Sequence, residues 1–344
     1  MLRVKRSNFI LAVFLLCCLP FLSIAQTDGK DSRAVLFYNV ENLFDIYNDS
    51  LINDEDFTPD GALHWTSRRY YQKINSITKV ILDANGWNSP FIIGLCEIEN
   101  QKVLNDLLFV GGLKNLHYKI VHYDSPDARG IDVALLYNSH LFKVIESYPI
   151  PVCSEDLNLK SRDILYVRGV ADNNDTLHLF VNHFPSRRGG VEASVSRRLW
   201  ASQQLRVHID SILALEKEAK ILAMGDFNDT PADSSILALL GNPKITTNSL
   251  IPLAKPLYES GIGSHKFDGE WSLIDQMFIT KSYLDGIEPD ALESVNGFTT
   301  VKLPYLTIED ETNFGVKPSR TYQGPRYLGG YSDHLPVIFR YFRK

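Results

Sequence analysis

The chain has 344 residues, 44% hydrophobic and 22% charged, an ordinary globular composition that can fill one large domain or two smaller ones. A formal net charge of -6 does not advertise nucleic-acid binding, although a local basic strip or a bound metal can override the average. With four cysteines, two of them in an apolar leader, no disulfide framework exists, and Cys96 and Cys153 can make one bridge at most.

The leader comes first. Arg3, Lys5 and Arg6 precede the apolar stretch from Phe9 to Ile24, and Ser23-Ile24-Ala25 offers small residues at the two positions a signal peptidase reads. Residues 1–25 therefore read as a cleaved signal peptide, with a mature chain over 26–344 that is secreted or periplasmic and not an integral membrane protein. As a membrane anchor the run is short and interrupted by Pro20. Leu16 before Cys17 argues against a lipoprotein. Cleavage removes three positive charges and leaves about -9.

Short runs rich in Val, Ile, Phe and Tyr then recur, and their lengths predict strands. In chain order these are 35–40, 91–98, 118–123, 132–138, 142–148, the segment ILYVRGV after Arg162, 177–184, 221–227, 273–279 and 336–342. Helices are predicted over 66–85, 100–109, 192–217 and 233–240. In the third, Val195, Leu199, Leu205, Ile209 and Ile212 are expected on one face. The stretch from about 281 to 332 reads as loop, and no repeat, low-complexity segment or long linker divides the chain. One mixed α/β domain closed by its last strand is expected.

The ends of these strands share a feature. VLFYNV is followed by Glu41 and Asn42, IIGLC by Glu97, LHLFVN by His183, ILAMG by Asp226 and Asn228, SLI by Asp275, while Ser332-Asp333-His334 precedes the last strand. Any one acidic residue after a strand is ordinarily a turn former or helix cap. Their recurrence beside buried segments, where an unpaired charge is costly, points to convergence on one site. Oxygen donors without a Cys/His cluster suit Mg²⁺ or Mn²⁺ better than zinc. Carboxylates, a hard cation and histidines suit attack of water on a phosphate ester, which needs no Ser or Cys nucleophile.

In their order along the chain, Asn39-Val-Glu41, Leu95-Cys-Glu97, Asn182-His183, Gly225-Asp-Phe-Asn228, Ile274-Asp275 and Ser332-Asp-His334 resemble the signature of the endonuclease/exonuclease/phosphatase superfamily, the DNase I-like hydrolases. The resemblance covers the mature chain and implies an α/β (α+β) four-layer sandwich, two packed mixed β-sheets flanked by helices. It implies Glu41, Glu97 and Asp333 at a metal, with Asn39 supporting it and the substrate. Asp226 and Asn228 would place the attacking water and hold the phosphate. His334 would meet the scissile phosphate, oriented by Asp275. His183 falls where DNase-like members carry His and abasic-site endonucleases carry Asn.

Four further residues bear on substrate. Arg162 falls where DNase-like members place a phosphate-contacting Arg, with solvated surface as its other reading. Arg187 and Arg188, followed by two glycines, make a cationic loop beside His183 able to grip phosphate oxygens. Arg197, Arg198 and Arg206 are expected to pair with surface carboxylates such as Glu192 and Asp210. Asp132 is expected either to pair with His183 or to bridge to Arg129 or Arg162. The arrangement from His183 through Gly190 resembles that of secreted bacterial nuclease-like members. Nucleic acid is thus the expected substrate, a small or lipid phosphoester the alternative, a non-catalytic binding module the third reading; no stable protein partner is implied. Pro304-Tyr-Leu306 is a weak lipid-facing candidate, and Trp65, Tyr70, Tyr71 and Trp271 have core packing as their default.

Overall fold

Successive residues of the central strands are buried on opposite faces, which is why they read as unbroken apolar runs. A computed structural model describes residues 32–86, 88–187, 190–241, 249–287 and 297–343; the expected leader and Arg188 lie outside them. The first sheet pairs β13 (Phe298–Thr300), β18 (Val337–Phe342), β1 (Ser32–Leu43), β2 (Ile92–Ile98), β4 (Asp132–Asn138) and β3 (Tyr118–His122), in that order. The second runs β5 (Phe142–Ile150), β6 (Ile164–Ala171), β7 (Thr176–His183), β8 (Lys220–Asp226), β12 (Asp275–Ile279) and β9 (Ile251–Pro252). Hydrophobic contact between them is direct: Val35, Phe37, Ile92, Leu179, Leu222 and Met224 share one core.

The alternate residues of the same strands face helices. Leu36, Tyr38, Ile93 and Leu95 pack on α1 (Ser67–Asp83) and α2 (Gln101–Phe109), whereas Phe180, Ile221 and Ala223 pack under α3 (Val191–Leu215) and α4 (Ser234–Leu240). The result is the expected four-layer sandwich. In α2 the Asn100 side chain caps the first turn by accepting from the Val103 amide at 3.0 Å. Gly94 lets the sheets meet closely, since a Cβ there would lie 2.8 Å from the Met224 sulfur.

Several sequence expectations need correction. The buried face of α3 is Ser194, Arg198, Ala201, Ser202, Leu205, Ile209 and Leu213, so Val195, Leu199 and Ile212 are only half-buried. Apolarity alone misplaced that face because its first turns carry a buried ion pair rather than hydrocarbon. The stretch read as loop supplies β13 to the first sheet and the hairpins β14 (Thr307–Glu309)/β15 (Val316–Pro318) and β16 (Tyr322–Gln323)/β17 (Arg326–Tyr327). Cys96 and Cys153 are free thiols. Trp65 and Tyr70 are core residues, but Tyr71 is 42% exposed. Among the described residues no helix is long and apolar enough to cross a membrane.

Candidate active site

The second sheet lines up three of the expected residues. β7 and β8 run parallel with His183 opposite Asp226, and β12 returns antiparallel with Asp275 opposite the same Asp226. Register partners on adjacent strands project to one face, so three polar groups emerge side by side. Gly225 permits this spacing: a Cβ on it would fall 2.5 Å from the Asn182 carbonyl oxygen. The chain turns only after the strand, at Asn228, which has φ 50°, donates its amide to Asp226 Oδ1 at 2.9 Å and its side chain to the Phe184 carbonyl at 3.0 Å.

His334 completes this group from the other sheet. Its backbone bridges to His265 at the start of β10 (His265–Phe267). Its Nδ1 donates to Asp275 Oδ2 at 2.8 Å and its Nε2 lies 3.8 Å from Asp226 Oδ2. His183 Nε2 approaches the same oxygen at 3.7 Å, and Asn39 donates to it at 3.0 Å. One carboxylate oxygen is thus surrounded by two imidazoles and an amide.

The first sheet presents its acids differently. Between Asn39 and Leu43 the β1–β2 register slips, and between Cys96 and Ile98 the β2–β4 register slips. Within these bulges Glu41 (φ 52°), Asn42 (φ 54°) and Glu97 (φ 63°) occupy the left-handed region that side chains ordinarily avoid. Glu41 accepts from the Thr321 amide at 2.6 Å and lies 3.4 Å from Arg320 and 3.9 Å from Lys73. Glu97 accepts from the Asn42 amide at 2.8 Å and lies 3.7 Å from Arg129. Arg320 also reaches Asp333 at 3.1 Å, so one guanidinium spans two carboxylates.

Burial sets the protonation states. It pushes the Asp226 carboxyl up to about 7, with the Asp275 charge adding and His334 opposing. It pushes Glu41 to about 7 as well, aided by Asp333. For His334 burial disfavours the cation, yet Asp275 and Asp226 outweigh it and hold the pKa well above the usual histidine value. Nothing compensates at His183, where burial and the charges of Arg162, Arg129 and His334 hold the ring neutral, well below that value. Its Nδ1 is buried without a hydrogen-bond partner.

The basic residues sort otherwise than the sequence suggested. Arg162 is buried, paired with Asp127 at 3.1 Å and donating to the Phe184 carbonyl at 2.8 Å. Arg187 is held by Asp229 at 2.9 Å, by Asp233 at 2.7 Å and by the Asn228 carbonyl at 2.8 Å, so it buttresses the turn rather than facing outward. Arg198 is fully buried against Asp229 at 2.8 Å, not on the surface, while Arg206 does pair with Asp210 at 2.5 Å. Asp132 takes neither expected partner; it pairs with His122 at 3.2 Å and with Ser125.

Four residues of the site escaped sequence reading. Lys73 is 2% exposed and donates to Thr321 Oγ1 and to the Tyr331 carbonyl; a lysine beside Ile74 on the apolar face of its helix was the available signal. Arg129 and Arg320, half-exposed at the rim, carry no motif. His265, its ring 4.7 Å from that of His334, lies in a segment no strand pattern marked, and burial and His334 lower its pKa to about 4.

The donor set fits a hard divalent cation. Glu41, Glu97 and Asp333 would hold it through oxygen, and the mutual repulsion that raises Glu41 is what a cation relieves. These three do not form one compact cluster. Among the described residues the groups with ligand atoms within 4.8 Å of one another are His265/Asp333/His334, Asp226/Asp275/His334 and His122/Asp124/Asp132. Thr321 and Arg320 hold Glu41 to one side and the Asn42 amide holds Glu97 to the other. Such a cation offsets charge on phosphoryl oxygens.

Solved structures share this architecture. The catalytic domain of human Nocturnin, solved with a bound sulfate anion, aligns at a TM-score of 0.53 and 14% identity, covering 91% of this chain and 97% of its own. Truncated TDP2 of Caenorhabditis elegans aligns at 0.56 and 14% identity, covering 90% and 97%. The mannosyl-6-phosphatase of Bacteroides thetaiotaomicron aligns at 0.53 and 18% identity, covering 89% and 98%. No curated protein matches in sequence. The profile of the Endonuclease/Exonuclease/phosphatase family matches residues 34–344, and the chain belongs to that family of metal-dependent phosphoester hydrolases.

Proposed function

We propose that the protein is an exported phosphodiester hydrolase, using Mg²⁺ or Mn²⁺, and acts as a nuclease of low sequence specificity. The observation that carries the reading is the pair of imidazoles on Asp226. His334 is held as a cation by Asp275, His183 is held neutral, and both stand within 3.8 Å of one Asp226 oxygen. Asp226, with its pKa near neutrality, is suited to take a proton from water. Protonated His334 is suited to meet a phosphoryl oxygen, and Asn228 and Asn39 keep the carboxylate aimed. Arg129 and Arg320 at the rim offer guanidinium donors for phosphate. The cation held by the carboxylates supplies electrostatic stabilisation of charge on the phosphoryl group.

A second reading is a phosphatase or phosphodiesterase for a sugar, lipid head group or other small phosphoester. It is favoured by the locking of Arg187 into the fold, which removes one cation from the surface a long polyanion would cross. Export rests on the leader and the small residues at 23 and 25. The mature protein with Mg²⁺ or Mn²⁺ is to be assayed on plasmid DNA, RNA, an aryl phosphodiester, an aryl phosphomonoester and mannose 6-phosphate. Cleavage of the nucleic acids at rates above the rest supports the first reading, and preference for the sugar phosphate or monoester replaces it with the second. Inactivity on all five defeats both.

A further inference from the structure

Outside the phosphoester site, a second group of carboxylates gathers beneath the loop that follows β1. Asp45 and Glu99 are each 6% exposed and Asp54 is 2% exposed, while Asp49 stands at the surface. The charges of Asp45, Asp54 and Asp49 all bear on Glu99. The loop is folded around these oxygens. Asp45 donates its amide to Glu99 at 2.5 Å and Asp49 donates its amide to Asp54 Oδ2 at 2.9 Å.

No basic group answers them. None of the four makes an ion pair among the described residues, and nearby Lys102 is engaged with Asp106 at 2.7 Å. The other acids of the neighbouring cavity are already matched, Asp127 by Arg162 and Asp132 by His122. The second Asp54 oxygen, Oδ1, is buried and has no hydrogen-bond partner at all. A carboxylate with an unsatisfied buried oxygen beside three like charges is expensive to fold, and hydrogen bonds from backbone amides offset only part of that cost. An ion between the carboxylates removes the penalty.

We propose that Asp45, Asp49, Asp54 and Glu99 form a binding site for a calcium ion, separate from the phosphoester site, that holds the 45–54 loop to the end of β2. Oxygen is the only ligand type present, which selects a hard cation. A cavity of about 490 Å³ borders the cluster and is lined by Asp49, Asn53, Glu99 and Asn100, giving room for amide oxygens and water in the coordination shell. No three oxygens of the cluster lie within 4.8 Å of one another, so the ion draws flexible ligands inward. Calcium tolerates such irregular shells of six to eight oxygens, whereas magnesium demands a near-octahedral one.

The test is thermal unfolding of the full mature chain, with calcium chloride or EDTA, at saturating Mg²⁺ wherever EDTA is absent. Calcium at ~100-fold over its dissociation constant is expected to raise the wild-type Tm by about 5 °C beyond magnesium alone. Asp54→Asn and Asp49→Asn are expected to lose that increment, to keep phosphoester hydrolysis with Mg²⁺, and in EDTA to melt at or above the wild-type temperature because a repulsive charge has gone. Asp49 is exposed, so its variant folds even where Asp54→Asn does not. Glu97→Gln is expected to lose hydrolysis and keep the calcium increment. A wild type without a calcium increment, or an Asp49→Asn variant that keeps all of it, overturns the proposal.

Discussion

The two sheets bring their residues to the same place by opposite means. In the second sheet His183, Asp226 and Asp275 are register partners across three regular strands, so hydrogen-bonded pairing alone sets their spacing. In the first sheet Glu41, Asn42 and Glu97 sit in bulges with positive φ, where the backbone is held against its own preference. The regular row carries the acid and base groups and the bulged edge carries the expected metal acids. Proton handling needs hydrogen-bond reach fixed to tenths of an ångström, which a ladder supplies. Metal binding needs carboxylates turned off the sheet and toward each other, which a ladder forbids.

Substitutions can break this contrast, beginning with the largest effect. Asp226→Ala and His334→Ala are expected to lower kcat by at least ~10²-fold in steady-state assays on the best phosphoester found, the usual scale for a positioned acid/base group. Retention of full activity by both would mean that the row is scaffold only. Asp275→Asn removes the charge that holds His334 as a cation, so the His334 pKa falls. The alkaline limb of kcat/KM should move to lower pH, with at least ~10-fold loss at the alkaline end. An unmoved limb assigns Asp275 a purely structural role.

Gly225→Ala probes the ladder without touching a functional group. Its Cβ would meet backbone that cannot yield, and an unfolding cost of about 1–3 kcal/mol is expected in denaturant titration, with activity lost through the shifted Asp226. At the bulged edge the sign reverses. Glu97→Gly should be more stable than Glu97→Ala by about 1 kcal/mol, because glycine accepts φ 63° without strain and alanine does not. Equal stability of the pair would remove backbone strain from the account.

The smallest effect concerns a buried histidine on the regular side but away from the site. His178, on β7, bonds to Tyr166 at 2.8 Å, and burial lowers its pKa despite the opposing charge of Glu216. As pH falls below the unfolded value near ~6.5, the unfolded chain gains a proton first, so His178 stabilises fully above that value and loses the contribution toward its depressed folded pKa. His178→Gln should therefore show a shallower loss of stability from about pH 6.5 downward. An identical slope in the two proteins would exclude His178 as a source of acid sensitivity.

Much of this was legible along the chain. Strand ends marked by Asp226, Asn228, Asp275, Asp333 and His334 were visible because a polar residue after an apolar run is a local signal, and helices α1, α2 and α4 followed from periodicity. The segment MGDFNDTP shows the limit of such reading. Sequence suggested that Gly225 makes the turn and Asp229 tightens it with Thr230. In the fold Gly225 allows close strand approach, Asn228 adopts the positive φ, Asp233 receives the Thr230 amide and hydroxyl, and Asp229 anchors Arg187, Arg198 and Ser235.

Local pattern by itself determined which elements form and which acids stand at their ends, because burial and turn chemistry act over a few residues. Only the tertiary structure decided which charges neutralise each other. Arg162, Arg187 and Arg198 look like surface cations in sequence and become internal struts, while Lys73, Arg129 and Arg320 reach the site from segments with no motif. Ion pairing acts through space between residues far apart in the chain, as Lys73 and Arg320 around Glu41 show, so no window along the sequence contains it.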